Sequence, residues 1–191
     1  MISGNLKLFH KEYKFLLFSI VILSFVVYKT VIIPSEHGKI KVNIYQNRTA
    51  IRNINQKRDI KNRNVYYVNK LNFTKNKHTL TTENGYNLAY RNNFFIDFET
   101  DIVVNKDENI SFIVYSDDGF ILDIDKNNIM QYIGDRPLKK DVKSIYLKKG
   151  THKYRLHYYQ GSGFLGVKAL YNIDGKTWEI GEDSKYIKFK Q

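Results

Sequence analysis

Between Asn93 and Asn172 the chain alternates apolar and polar residues with a period of two, segment after segment, and this rhythm leaves little room for helices. NFFIDFETDIVV sets Phe94, Ile96 and Phe98 on one face. After a turn at Asn105 to Glu108, ISFIVYS sets Ile110, Phe112 and Val114 against Ser111, Ile113 and Tyr115. Asp117, Asp118 and Gly119 break the ladder, and FILDID resumes it with Phe120, Leu122 and Ile124. THKYRLHYY and GVKALYN follow, with Tyr154, Leu156 and Tyr158 on one face of the first and Val167, Ala169 and Tyr171 on one face of the second. Several strands joined by turns at short spacing predict an all-β fold, an antiparallel sandwich or barrel. No repeat unit is long enough for a solenoid.

A length of 191 residues suits one core with a short accessory segment. With 42% hydrophobic residues, the chain has enough apolar mass to bury that core rather than remain disordered. The absence of Cys removes disulfides, thiolate metal sites and cysteine nucleophiles together. The formal charge of +12 lies wholly before residue 81, because acids and bases cancel beyond it. The chain therefore reads as a basic N-terminal part joined to an electrically balanced module.

From Phe15 to Tyr28 the run FLLFSIVILSFVVY holds no charge, and after Lys29 apolar residues continue to Ile33. At a helical rise of about 1.5 Å per residue such a run spans roughly the hydrocarbon of a bilayer, with Lys29 near enough to one end to snorkel. A cleaved signal would need a small-residue site after the run, and Tyr28 to Val31 provide none. Residues 15–33 are therefore expected to form one N-terminal transmembrane helix. Lys7, Lys11 and Lys14 precede it, so residues 1–14 are expected to be cytoplasmic and the remainder periplasmic, in a single-pass inner-membrane protein. No nucleic-acid partner is expected in that compartment.

Residues 34–64 form a basic neck expected to join the sheet in part. KIKVNIY alternates Ile40, Val42 and Ile44 with Lys41, Asn43 and Tyr45, as a half-exposed strand does. Gln46 to Asn64 lacks periodicity and reads as a loop, a short helix or a flexible stretch. Its cations are either a solvated linker or a patch drawn to anionic lipid, cell-wall polymer or an acidic protein. Residues 65–191 make up the β-domain.

Four features stand in order in the β-domain: YRNNFFIDFETDIVV, ISFIVYSDDGFILDID, YLKKGTHKYRLHYYQGSG and GVKALYN. Together they resemble a PA14 domain, the β-sandwich module of bacterial toxins, glycosidases and adhesins. The matching positions are Tyr115 to Gly119, Ile124 with Asp125, Leu147 with Gly150 and His152, and Tyr154 to Tyr159. The resemblance extends over about residues 38–189, and 93–172 match specifically. In the lectin branch of this family two adjacent aspartates joined by a cis peptide bind calcium, which holds sugar hydroxyls, and a second loop adds Asn and backbone oxygens. The resemblance thus assigns Asp117 and Asp118 to a calcium ion. It places Gln160, Gly161, Ser162 and Phe164 in the second loop, where Gln160 stands in place of the expected Asn.

Adjacent carboxylates on a tight loop repel unless a cation, hydrogen-bond donors or solvent offset them. Two readings follow from this alone, a calcium site and a turn whose side chains cap backbone N–H groups. Other candidates carry less. His152 and His157 fall on opposite faces of their strand, and Asp123 and Asp125 share one face, with Asp125 also fitting a hairpin turn. Asp107 to Ser111 resembles an extended glycosylation sequon with Asn109 as acceptor, whereas Asn47-Arg-Thr and Asn72-Phe-Thr fit only the short pattern. No phosphate loop, nucleophile elbow or His-x-x-x-His pair occurs.

The residues and the resemblance lead to a non-enzymatic, membrane-tethered periplasmic module. Its expected role is to bind other envelope proteins within an assembly such as a flagellar motor or secretion apparatus. The alternative is a calcium-dependent module for glycans or cell-wall polysaccharide, with stacking from Phe164 or Tyr159. An enzyme ranks third, since PA14-like units usually accompany catalytic domains.

Overall fold

The computed structural model describes residues 13, 16–24, 38–76, 78–81, 87 and 90–191. The chain divides into two compact units, Met1–Ser35 and Glu36–Gln191. In the first, residues 16–24 are helical, and their large apolar side chains are 47–64% exposed. Among the described residues no helix is long and apolar enough to cross a membrane. The expected anchor at 15–33 lies outside the described residues except for 16–24. So do its cationic flanks and, apart from Tyr13, the expected cytoplasmic segment 1–14.

Among the described residues the second unit is built of antiparallel strands. Its elements are β1 (Ile40–Asn47), β2 (Ile60–Val68), β3 (Phe94–Val104), β4 (Glu108–Asp117), β5 (Phe120–Ile124), β6 (Asn127–Tyr132), β7 (Lys139–Leu147), β8 (Gly150–Gln160), β9 (Gly166–Ile173), β10 (Lys176–Glu179) and β11 (Ile187–Lys190). One sheet runs β2-β1-β3-β8-β5-β6, and β11 also pairs with β3. The other runs β10-β9-β4-β7. β1 and β11 cover successive halves of the same edge of β3. At their junction the buried Thr100 hydroxyl lies 2.8 Å from the Lys39 carbonyl and 3.1 Å from that of Lys190.

The inward faces are those the alternation gave. Phe94, Ile96, Phe98, Leu156 and Tyr158 of the larger sheet, with Ile110, Phe112, Val114, Ala169 and Tyr171 of the smaller, build the main core. The neck departs from its sequence reading beyond Tyr45: Ile60 to Asn64 belong to a strand, and Ile51 and Ile54 are buried. These two isoleucines pack with Phe95 and Tyr159 into a smaller core on the outward side of the larger sheet. A few well-placed apolar residues hold this polar loop down, which is why no periodicity announced it.

Candidate functional site

The site lies where β4 passes into β5. The Asp117-Asp118 peptide is cis, the form that the resemblance implies for this pair. Gly119 follows because a Cβ there would lie 2.6 Å from the Tyr159 ring and 2.7 Å from the Tyr132 carbonyl. Across the gap, the turn after β8 comes equally close. A Cβ on Gly161 would meet the Ile51 carbonyl at 2.8 Å. That approach lets the Gly161 N–H donate to Asp118 Oδ2 at 2.9 Å.

The loop between β6 and β7 completes the site. The Arg136 backbone amide also bonds Asp118, and the Leu138 amide bonds Asp117. Asp118 is 5% exposed, and burial, together with the charges of Asp135 and Asp117, pushes its carboxyl up to about 6 against the pull of those amides. Burial also raises Asp117, opposed by the Leu138 amide and the Arg136 charge. Asp135 receives the Tyr159 hydroxyl at 2.5 Å, and that hydroxyl is 3.0 Å from the Arg52 carbonyl.

Beside the pair opens a cleft of about 270 Å³ lined by Thr74, Asp117, Pro137, Leu138, Phe164 and Leu165. Phe164 is 55% exposed and Leu138 48%, so two large apolar side chains from different loops face solvent next to a carboxylate. His78 meets the Phe164 ring edge-on at 5.2 Å. Phe164 and Asp117 were legible in the sequence; Thr74, Pro137 and Leu138 were not, because four segments distant in sequence meet only in the folded chain.

The remaining second-loop residues are differently placed. Gln160 is fully buried. Its Oε1 faces the Tyr158 hydroxyl at 2.5 Å, and its Nε2 donates to the carbonyls of Phe164 at 2.8 Å and Ser162 at 3.3 Å. The Gly161 carbonyl accepts from the Asn93 amide. The carboxamide and both carbonyls expected to face a ligand are thus engaged within the protein. Gln160 acts as an internal brace for the loop that displays Phe164, a correction to its expected place among ligand contacts.

Calcium takes six to eight oxygen ligands. Among the described residues no three His, Cys, Asp or Glu side chains form a group able to hold a metal. In the second loop, Gln160 Oε1 and the carbonyls of Gly161, Ser162 and Phe164 each accept a hydrogen bond from within the protein. Asp118 accepts the Gly161 amide as a capping turn does, and Asp135 is a third carboxylate close to the pair.

The other candidates separate. His157 Nδ1 is 2.7 Å from Asp97, which also receives both guanidinium arms of Arg58 at 2.7 Å, and Asp123 is 3.7 Å from His157 Nε2. Asp125 sits in the hairpin turn at φ 53° and pairs with His152 instead. Asn109 is exposed on β4, as an acceptor must be. Asn47 and Asn72, in the shorter sequons, spend their amides on Thr49 and Glu179.

No protein-family model and no curated protein matches the sequence. Solved structures do. The chain is similar to an anti-sigma factor domain-containing protein at 15% identity and TM-score 0.58, over 77% of this chain and 46% of that one. It therefore spans under half of that protein's length. It is similar to the PA14 domain of the antifreeze protein MpAFP at 12% identity and TM-score 0.61, covering 83% of this chain and 94% of that one. It is also similar to a PA14 sugar-binding domain from an RTX adhesin, at 11% identity and TM-score 0.57, covering 73% and 94%. The fold is PA14-like.

Proposed function

We propose that the β-domain is a non-enzymatic carbohydrate-binding module whose ligand enters the Phe164–Leu138 cleft. The observation that carries this reading is the pairing of a half-exposed aromatic and a half-exposed leucine with the Asp117 carboxylate around one small opening. Sugars present apolar C–H faces beside hydroxyls, so a stacking ring next to a fixed acceptor suits them. Binding is favoured over hydrolysis because glycoside cleavage uses two carboxyl groups flanking the bond, and Asp117 is the one carboxylate among the lining residues. The cleft also favours glycan over the protein-scaffold role expected from sequence, since it is a concavity of about 270 Å³ rather than a broad face. The sugar-binding PA14 domain of an adhesin among the structural neighbours supports this reading.

Attachment to the inner membrane, with the β-domain periplasmic, is proposed on a separate observation. The helical residues 16–24 expose apolar side chains throughout, from Leu16 at 57% to Leu23 at 64%. An envelope assembly is the setting in which such a tethered module would meet its ligand.

Screening the full-length chain in detergent against a panel of soluble oligosaccharides, followed by calorimetry, tests the cleft. Phe164→Ala and Asp117→Asn should each weaken binding by about tenfold or more while leaving the fold intact, as loss of a central contact does. Absence of binding to any sugar at millimolar concentration, or binding unaffected by both substitutions, overturns the assignment.

A further inference from the structure

Among the described residues five strands lie at sheet edges, and four of them are blunted. β10 and β11 have four residues each. β6 has six, and its ladder with β5 slips between Leu122 and Asp123. β2 has nine, but its ladder with β1 slips between Gln46 and Asn47. β7 also has nine, and it pairs with β4 from Lys139 to Leu147 without a break. Among the described residues no strand pairs with its other edge. A long regular edge offers a row of unpaired N–H and C=O groups to an extended chain, which is why short strands and bulges are the usual defence.

What β7 carries instead is charge and apolar surface. Lys139, Lys140 and Lys143 are exposed, and the strand's one acid, Asp141, is already paired with Arg136. Lysine at an edge repels a second copy, since another β7 laid antiparallel about the strand centre would set Lys143 against Lys143. It attracts an acidic chain. Ile145 packs on the main core, and Lys139 and Lys143 share its face. The opposite face shows Val142, 51% exposed, and Tyr146, 63% exposed, whose hydroxyl donates to Asp107 at 3.1 Å.

We propose that the free edge of β7 takes an extended acidic segment of a partner protein as a fifth strand of the smaller sheet. Its acids face Lys139 and Lys143, and its apolar residues face Val142 and Tyr146. Main-chain hydrogen bonds supply the affinity, and the lysines choose the partner. Nothing in this depends on what the cleft binds.

The probe is a capped peptide alternating glutamate and valine over the length of β7, titrated against the full-length chain in detergent, with hydrogen exchange of the β7 amides as a second readout. At about ten times its dissociation constant it should slow exchange across residues 139–147 by about tenfold. A lysine-valine peptide, and the glutamate peptide with a central proline that breaks the ladder, should each bind about tenfold or more weakly. Lys139→Glu combined with Lys143→Glu should reverse the preference between the two charged peptides. Absence of binding by the glutamate peptide at about 1 mM overturns the proposal, as does equal binding by its proline form or binding that leaves β7 unprotected. Equal protection by polygalacturonate, which carries acid but no peptide groups, also overturns it. Should the double variant fail to fold, the three peptides on the wild type decide.

Discussion

The two ends of the sandwich use aspartate on turns in opposite ways. At the end where β5 turns into β6 and β7 into β8, Asp125 accepts the Lys153 N–H at 2.7 Å and faces His152 Nδ1 at 2.7 Å. His152 Nε2 faces the Lys148 carbonyl at 2.8 Å. Nearby, Asp107 accepts the Lys149 N–H at 2.8 Å. Both acids are held below the ordinary carboxylate range by these donors, against burial in each case. At the cleft end burial outweighs the donors, and Asp117 and Asp118 are raised. The first arrangement stitches turns together. The second retains charge where folding would rather neutralise it, a pattern that clusters at functional sites.

Removing the buried Arg136 guanidinium should produce the largest effect. Arg136→Ala leaves Asp141 without its partner and should cost about 3–5 kcal/mol in urea denaturation, the usual penalty for breaking a buried pair. Should the loss fall below about 1 kcal/mol, the guanidinium is not a fixed part of the cluster.

The same conservative change should have opposite signs at the two ends. Asp118→Asn keeps an acceptor for Gly161 and removes a charge whose folded-state pKa is raised to about 6. An acid with a raised pKa weakens folding progressively as pH climbs from about 4 through that value. Asp118→Asn should therefore gain about 1 kcal/mol at pH 8 and nothing at pH 4. Asp125 has a lowered pKa, so its contribution is present above the ordinary carboxylate value and is lost as pH falls through the folded one. Asp125→Asn should cost about 1 kcal/mol at neutral pH and nothing in strong acid, the value being small because the site is partly exposed. Equal signs at pH 8 would erase the contrast between the ends.

His152 extends the comparison into alkali. Its two ring nitrogens both face acceptors, an arrangement only the imidazolium satisfies with two donors. Its pKa is raised by the Asp125 and Lys148 bonds, against burial. The stability it adds is complete below about pH 6.5 and disappears as pH rises through the raised value. Melting curves from pH 6 to 9 should fall for the wild type and stay flatter for His152→Asn. The smallest effect is expected of Phe164→Ala, within about 0.5 kcal/mol of wild-type stability, because the ring is half in solvent. A large loss there would make Phe164 a packing residue rather than a ligand contact.

Most of the sandwich could be read from alternation, because a half-buried strand must sort its side chains by face: Phe94, Ile96 and Phe98, or Tyr154, Leu156 and Tyr158, admit one burial pattern. β6 and β7 escaped because they are edge strands; NNIMQY and KKDVKSIYL bury little and so carry little pattern. At the site, Asp117, Asp118 and Phe164 were legible as a break in the ladder and an aromatic in a Gly-rich turn. Arg136 was not, since a single arginine in a polar loop has no sequence mark of burial.

What the sequence determined by itself was the strand rhythm, the inward faces and the two carboxylates placed together on a turn. These are properties of neighbours along the chain, fixed by the two-residue repeat of a strand. Only the tertiary structure decided that Gln160 turns inward, that Thr74, Leu138 and Phe164 line one cleft, and that Arg136 is buried against Asp141. Those depend on which distant loops fill the space between two sheet edges, a matter of packing that no local pattern encodes.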